Sequence, residues 1–149
     1  MRNKLIYLDN CCFNRPFDDQ TQIIIHLETI SKLFIQSLVL QGKLDLVWSF
    51  MLDYEIKDNP FIERQIKIHE WEKLAVVDCD YSDEIDIKAQ ELMEMNIRHK
   101  DALHIAAAIV SDVDFFITTD KRLLNKNILE TIIVNPIEFV RRYIYVDGY

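Results

Sequence analysis

The chain has 149 residues, of which 50% are hydrophobic, and its formal net charge is −8. This length suits one domain with a sizeable core, so residues 1–149 are expected to form a single domain, and the hydrophobic content excludes a disordered chain. The acidic balance argues against tight, unaided binding of nucleic acid to a large basic surface. It does not exclude an enzyme acting on nucleic acid, because divalent cations can neutralise acids gathered at one site.

The N-terminus and the cysteines indicate the compartment. Residues 1–4 precede an apolar run that is too short for a signal peptide, and no stretch is expected to be long enough to span a membrane. Cys11 and Cys12 are adjacent and Cys79 is distant, an arrangement that fits neither a disulfide framework nor the spacing of zinc ligands. The sequence therefore predicts a cytoplasmic protein with free thiols.

Apolar runs and segments of helical periodicity alternate along the chain. The runs predict strands at residues 5–8, 44–48, 75–77, 115–118 and 131–134. Helices are predicted at 19–41 and 100–110, after Ser49 and Ser82 as caps, around Ile62 and Ile66, and after Asn135-Pro136, with a loop at 13–17. This alternation predicts an α/β fold, a three-layer α/β/α domain with a central, mainly parallel five-stranded sheet.

Two of the predicted strands stop at an acid. The run 5–8 is followed directly by Asp9, and the run 115–117 leads through Thr118 and Thr119 to Asp120. Ligands of open α/β sheets bind outside the carboxyl ends of the strands. Carboxylates from opposite ends of the chain are therefore expected at one edge of one sheet, where they favour a bound cation.

Two further acids lie on predicted helices. Glu55 falls in the short helix after Ser49, and Asp101 opens an alanine-rich helix. Taken singly, each acid has a purely structural explanation: Asp101 is favourable at a helix N-terminus, Asp120 can cap the next helix, and most glutamates are solvated. The argument for chemistry rests on the four acids together.

Taken together, their order and context resemble the signature of the PIN-domain ribonucleases. Asp9 ends the first strand, Glu55 lies on a helix that starts after a serine, Asp101 opens the stretch 101–107, and Thr118-Thr119-Asp120 follows the fourth strand. The resemblance covers nearly the whole chain and is to the VapC-type toxin branch or a close relative. The sequence departs from many relatives after the first strand: it reads Asp9-Asn10-Cys11 where they read Asp-Thr-Ser.

This resemblance implies an endoribonuclease that hydrolyses RNA phosphodiester bonds and leaves a 5′-phosphate and a 3′-hydroxyl. The expected cofactor is Mg²⁺ or Mn²⁺, held by catalytic carboxylates at Asp9, Glu55, Asp101 and Asp120, with Thr118 orienting a carboxylate or contacting the substrate. A cation is also expected on electrostatic grounds, since like charges ~5 Å apart repel by roughly 3 kcal/mol at an effective dielectric of ~20. The toxin branch further implies a small antitoxin and a homodimer. From the lengths of the apolar runs, no membrane association is expected.

Three other residues are candidates for supporting the site or contacting substrate. Asn10 retains a polar oxygen near the expected metal, and Lys121 directly follows Asp120. His104 lies one turn after Asp101, and packing beside the sheet is the favoured explanation for it. Most of the neighbouring cations are expected to be solvated, with a few contacting phosphate at the rim: Arg98, Lys100, Lys121, Arg122 and Lys126.

Two other classes of protein share parts of this pattern. One is an interaction module that keeps the PIN fold without cleaving RNA, which the intact set of acids argues against. The other is an α/β phosphatase or a receiver domain. A phosphatase would carry Asp-x-Asp after the first strand, where Cys11 stands, and a receiver would carry a lysine after the fifth, where Asn135-Pro136 stands. The wide apolar face of the first long helix fits either a buried helix or a partner surface.

Overall fold

A parallel sheet of five strands forms the centre of the protein. The computed structural model describes residues 2–145. The strands are β1 (Lys4–Leu8), β2 (Leu44–Ser49), β3 (Val77–Cys79), β4 (Phe115–Ile117) and β5 (Ile132–Val134). They lie in the order β3-β2-β1-β4-β5, and every neighbouring pair is parallel. The predicted α/β fold with a five-stranded sheet is confirmed.

Helices connect the strands and cover the sheet. They are α1 (Asn10–Asn14), α2 (Ile23–Leu40), α3 (Phe50–Lys57), α4 (Ile62–His69), α5 (Asp83–Met93), α6 (His99–Val110), α7 (Lys121–Leu124) and α8 (Pro136–Phe139). Short 3₁₀ segments occupy Arg15–Phe17 and Glu70–Leu74, and a π-helical segment covers Val140–Tyr145. Because parallel crossovers are right-handed, the helices before β3 and those after it are expected on opposite faces of the sheet, and α3 also contacts α6.

The strand order reverses at β1, which lies between β2 and β4. Ligands of doubly wound folds bind at this switch point, beyond the carboxyl ends of the strands. The residues beneath it are fully buried and include Tyr7, Trp48 and Phe116, with the Tyr7 and Phe116 rings stacked 5.2 Å apart. The switch point therefore rests on a rigid aromatic layer, and Asp9 follows directly from it.

The segment after β1 is helical, so the prediction of a loop at 13–17 was wrong. Asp9 has an extended backbone, and its carboxylate accepts a hydrogen bond from the backbone N–H of Asn10, which starts α1 at once. Pro16 lies in the first positions of the 3₁₀ turn that follows, where its missing N–H is tolerated. The chain thus turns sharply at Asp9 and holds that acid at the sheet edge.

Other predicted boundaries shift by a few residues. Helix α2 begins at Ile23, not near Asp19, because the Asp19 carboxylate accepts hydrogen bonds from the backbone and hydroxyl of Thr21 and forms a local turn. Strand β3 covers Val77–Cys79 and so starts two residues later than expected. Ser49 precedes α3 but makes no capping hydrogen bond, since its hydroxyl contacts Tyr7.

Helix α2 corrects the expectation that no segment is long enough to cross a membrane. Its 18 residues, Ile23–Leu40, are long and apolar enough to do so by length and composition alone. Helices that pack into the core of soluble proteins pass the same test. Here α2 contributes Ile35, Leu38 and Val39 to the core and also buries Glu28 and Lys32.

Candidate active site

Three residues of the site follow the neighbouring strands β1 and β4. The strand register pairs Leu8 with Ile117, and the Asp9 backbone N–H donates to the Ile117 carbonyl at 2.9 Å. The fully buried Thr118 hydroxyl donates to Asp9 Oδ2 at 2.8 Å and accepts from the Asp120 backbone N–H at 3.1 Å. Strand pairing and one threonine hydroxyl therefore link Asp9 to Asp120, which are 111 residues apart in the chain.

Asp120 caps α7 and is also held by a cation. Its Oδ1 accepts from the backbone N–H of Arg122 at 2.9 Å, and its Oδ2 lies 3.1 Å from the Arg122 guanidinium. Partial burial raises the pKa of Asp120, but the hydrogen bonds and charge of Arg122 outweigh it and hold that pKa below its usual value. Asp120 is therefore an ionised carboxylate whose ligand capacity is shared with Arg122.

Asp101 has the opposite environment. It lies in the first turn of α6 and is half-buried. Burial and the charges of Asp9 and Asp120 raise its pKa, with smaller opposing effects from His104 and Arg122. Among residues 2–145, no group donates a hydrogen bond to its carboxylate or forms an ion pair with it. The charged form of Asp101 is thus disfavoured by burial and by two nearby acids, and a bound cation would stabilise it.

Glu55 completes the group of acids from α3. Its Oε1 lies 2.5 Å from His104 Nε2, and its Oε2 accepts from the Asn10 side-chain amide at 2.8 Å. Burial raises the pKa of Glu55. The hydrogen bonds from His104 and Asn10 and the charge of Lys100 lower that pKa by more, so the carboxyl group stays ionised. Both oxygens of Glu55 are therefore held in fixed positions.

A buried hydrogen-bonded chain fixes His104 from behind. Its Nδ1 lies 2.5 Å from the Tyr7 hydroxyl, which lies 2.6 Å from the Ser49 hydroxyl. Burial lowers the pKa of His104, but the hydrogen bond to Glu55 and the charges of Asp9, Glu55 and Asp101 raise it by more. His104 packs beside the sheet, as favoured from the sequence, and it also supports a candidate catalytic acid.

The residues of the first turn of α1 make defined contacts. Asn10 donates to Glu55 through its side-chain amide and to Asp9 through its backbone N–H, so it joins two of the acids. Cys11 Sγ lies 3.5 Å from Asp9 Oδ2 and 3.4 Å from the Thr118 hydroxyl, while Cys12 is fully buried in the core. All three cysteines are free thiols.

An open cavity of about 630 Å³ lies over these residues. Glu55, Asp101 and Asn10 line it, while Asp9 is buried beneath. The exposed candidate Lys121 is not among the lining residues, whereas Arg98, Lys100 and Arg122 are. A further set of lining residues, not singled out from the sequence for this site, comprises Asn14, Asp18, Asp58, Asn59, Pro60, Phe61 and Arg64.

The family model for the PIN domain matches residues 6–129 of this sequence. The chain belongs to the PIN-domain family. Among solved structures, it is similar to a chain of VapBC2 from Rickettsia felis, described as bound to a DNA fragment from the promoter of the pair, with 15% identity, a TM-score of 0.56, and coverage of 88% of this chain and 98% of that one. No curated protein matches the sequence.

Membership of the PIN family bears on the competing interpretations. PIN domains are in general nucleases, so the phosphatase and receiver interpretations of the acids lose their support. The match to the Rickettsia felis chain, at its low identity, establishes the shared fold.

The donors at this PIN-domain site suit a hard divalent cation. Carboxylates supply the oxygen atoms that Mg²⁺ and Mn²⁺ prefer, and the amide of Asn10 and hydroxyl of Thr118 hold two of them in place. Within the described part of the chain, the Asp101 carboxylate has no partner and is repelled by Asp9 and Asp120. This observation fits a cation best, because a cation would relieve the repulsion. These residues therefore fit the metal that the family implies.

A second group of potential ligands lies outside these four acids. Asp53, His69 and Glu72 bring their ligand atoms within 4.8 Å of one another, with His69 Nε2 3.3 Å from Asp53 Oδ1. The sequence spacing of the histidines had not suggested this grouping, because the three residues come from two helices and a 3₁₀ turn. His69 is exposed, whereas Asp53 and Glu72 are half-buried, and the group is explained as a cluster of polar contacts near the surface.

Proposed function

We propose that this chain is a metal-dependent endoribonuclease that hydrolyses RNA phosphodiester bonds at the site of Asp9, Glu55, Asp101 and Asp120. The observation that carries the proposal is the half-buried Asp101 carboxylate, which has no partner among the described residues and faces added negative charge from Asp9 and Asp120. A site that destabilises the charged form of Asp101 in this way is suited to binding a cation. The proposal treats residues 1–149 as one PIN-like domain working in the cytoplasm.

Bound Mg²⁺ or Mn²⁺ would supply Lewis-acid activation of water and stabilise charge on the phosphate oxygens. Asp9, Asp101 and Asp120 would hold the cation, and Glu55 would complete the site directly or through water. Thr118 orients the Asp9 carboxylate by its 2.8 Å hydrogen bond. Arg98, Lys100 and Arg122 line the cavity and would contact phosphate. Hydrolysis would leave a 5′-phosphate and a 3′-hydroxyl.

The test compares cleavage of RNA by the wild-type protein with that by Asp9→Asn and Asp101→Asn. Each substitution removes a charge at constant shape, so both are expected to lower the rate by roughly 100-fold or more in Mg²⁺ or Mn²⁺. Glu94→Gln is the matched control, because Glu94 is exposed and lies outside the cavity lining. Undiminished cleavage by folded Asp9→Asn and Asp101→Asn variants would overturn the assignment.

The protein is further proposed to be the toxin of a toxin–antitoxin pair, with a small antitoxin and a homodimer. Helix α2 exposes a set of large apolar side chains, each between 40% and 67% accessible: Ile23, Ile24, Leu27, Ile30, Leu33, Phe34 and Leu40. Contiguous apolar surface of this kind marks protein–protein interfaces. The similar Rickettsia felis structure is a complex of VapBC2, which supports a partner protein here.

Two measurements test this partner proposal. Expression of the chain should slow growth, and co-expression of a small neighbouring reading frame should restore it. Light scattering should give the mass of a dimer for the isolated chain and of a monomer after Leu27→Asp and Phe34→Asp. Growth inhibition that no neighbouring product relieves would remove the antitoxin from the proposal.

One observation favours a second candidate, a PIN-fold interaction module without turnover. Arg122 contacts both carboxylate oxygens of Asp120 and so competes with a metal for that ligand. Binding of Mn²⁺ by the wild-type protein, without cleavage of any of a varied set of RNAs, would support this candidate.

A further inference from the structure

Two segments that the four acids do not explain meet at one end of the active-site cavity. The first is Asn14–Phe17, the last residue of α1 and the 3₁₀ turn after it, and the second is Asn59–Arg64, the end of the α3–α4 connection and the first turn of α4. The cavity lining includes Asn14 from the first segment and Asn59, Phe61 and Arg64 from the second. The same cavity is lined by Glu55 and Asp101, so these segments border the place where phosphate would be cut.

A chain of side-chain amides connects this end of the cavity to the acids. Asn10 donates to Glu55, and Asn14 donates to the backbone carbonyl of Asn10 at 3.0 Å. The Asn59 amide donates to Asn14 Oδ1 at 3.1 Å, and Asn59 Oδ1 accepts from the Phe61 backbone N–H at 3.0 Å. Phe61 is therefore positioned relative to Glu55 by consecutive hydrogen bonds rather than by a free loop.

An aromatic–guanidinium stack stands at the end of this chain. The Arg64 guanidinium carbon lies 3.9 Å from the ring centroid of Phe61 and 4.7 Å from that of Phe17. Phe61 nevertheless remains 52% exposed. Single-stranded nucleic acid is bound by such surfaces, because a base stacks on an aromatic ring or a guanidinium plane whatever its sequence.

We propose that Phe61 and Arg64 form a subsite that stacks one unpaired base of the RNA. This inference rests on the proposed ribonuclease function and deepens it. A base in a duplex is covered on both faces by its neighbours and cannot reach the Phe61 ring. The basic residues Arg98, Lys100 and Arg122 line the same cavity and would bind the phosphates adjoining that base.

The acids that line this part of the cavity do not oppose the proposal. Asp18 forms an ion pair with Arg15 at 2.9 Å, and the same guanidinium also pairs with Glu28 at 3.0 Å. Asp58 is exposed at the end of α3. Four cations line the cavity: Arg64, Arg98, Lys100 and Arg122.

The experiment measures binding in the Asp101→Asn variant of the 149-residue chain, so that the probe is not cut. The probes are a fluorescent oligouridylate, the same strand with a run of abasic sites, and an RNA duplex of equal length, all in Mg²⁺. Phe61→Ala in this background is expected to weaken binding of oligouridylate roughly 5- to 100-fold, whereas Phe61→Trp is expected to restore it. Binding of the abasic strand and the duplex should not change with residue 61.

Ile62→Ala is the matched control, because Ile62 is the adjacent exposed apolar residue and does not line this cavity. Equal binding by the Phe61→Ala and parent proteins, or an equal loss on the abasic strand, would overturn the subsite. Circular dichroism establishes that each variant is folded.

Failure of the subsite and failure of the proposed function give different results. If wild-type protein cuts RNA and Phe61→Ala leaves both binding and KM unchanged, the ribonuclease stands and the subsite is wrong. If Asp101→Asn binds oligouridylate through Phe61 while the wild-type protein cuts no RNA, the subsite stands and the ribonuclease is wrong.

Discussion

Glu55 and His104 are joined by a 2.5 Å contact between Oε1 and Nε2, although they are 49 residues apart in the chain. The histidine is 1% exposed and the Glu55 side chain is 23% exposed, so the pair reaches from the core to the cavity. The Tyr7 hydroxyl contacts the other nitrogen of the imidazole, and the Ser49 hydroxyl contacts Tyr7. Buried residues of the core therefore position Glu55, one of the candidate catalytic acids.

The first prediction concerns the role of His104 in activity. His104→Leu removes the hydrogen bond to Glu55 and is expected to lower the cleavage rate about 10- to 100-fold, the usual cost of losing an outer support of a metal ligand. His104→Gln keeps an N–H donor and should retain more activity. If His104 acts through Glu55, then His104→Leu should cost little more in a Glu55→Gln background. A further loss of equal size in that background would show an independent role.

The second prediction concerns the pH dependence of stability. The pKa of His104 is raised above its ordinary 6.5, so the stabilisation it provides is complete below pH 6.5 and is lost as pH rises through the folded-state pKa. The pKa of Glu55 is lowered from 4.5, so its stabilisation is complete above pH 4.5 and is lost as pH falls through its folded-state value. The pair is therefore expected to stabilise the fold most between about pH 4.5 and 6.5.

Urea unfolding of the wild-type and His104→Gln proteins at a series of pH values measures this effect. The difference in free energy of unfolding should be largest in that window and should shrink above it. Tyr54→Phe is a suitable control, because Tyr54 is exposed and lies outside this chain of hydrogen bonds. A difference that is constant from pH 5 to pH 9 would contradict the prediction.

The sheet and the positions of the acids were predictable because they follow local patterns. The run before Asp9 and the run before Thr118 are short, apolar and bounded by polar residues, which identifies buried parallel strands. Parallel strands end at the same edge, so the structure places Asp9, Thr118 and Asp120 in contact through hydrogen bonds. Helix α1 was missed because its start depends on one capping side chain and it has only five residues.

The contacts between distant side chains were not predictable from any local pattern. Asn59 lies 45 residues after Asn14, and no periodicity in the sequence indicates that their amides bond. Burial of His104 follows from its apolar helix, but its position between Tyr7 and Glu55 depends on how α6 packs against β1 and α3. Lys121 is a more obvious neighbour of Asp120 than Arg122 is, yet Arg122 is the residue that lines the cavity and contacts the acid.

The third prediction separates the two roles of Asp120. As the cap of α7, Asp120 is matched by asparagine, so Asp120→Asn should unfold with nearly the wild-type free energy while Asp120→Ala loses about 1 kcal/mol. As a proposed metal ligand it needs its charge, so both variants should lose cleavage by roughly 100-fold or more. Chemical unfolding and RNA cleavage measured on the same samples check both parts. Full activity in Asp120→Asn would restrict this residue to capping.

The fourth prediction concerns the cost of keeping Asp101 in the metal-free protein. Burial and neighbouring acids raise the pKa of Asp101, so its charged form destabilises the fold at neutral pH and protonation relieves this as pH falls. Because the side chain is only half-buried, solvent screening limits the effect, and Asp101→Asn is expected to increase the free energy of unfolding by a few tenths to about 1 kcal/mol at pH 7 in EDTA.

Adding Mn²⁺ should raise the unfolding temperature of the wild-type protein and should raise that of the Asp101→Asn variant much less. Glu94→Gln should respond to Mn²⁺ like the wild type. Equal shifts in the wild-type and Asp101→Asn proteins would show that the cation binds elsewhere, with the cluster of Asp53, His69 and Glu72 as the first place to look.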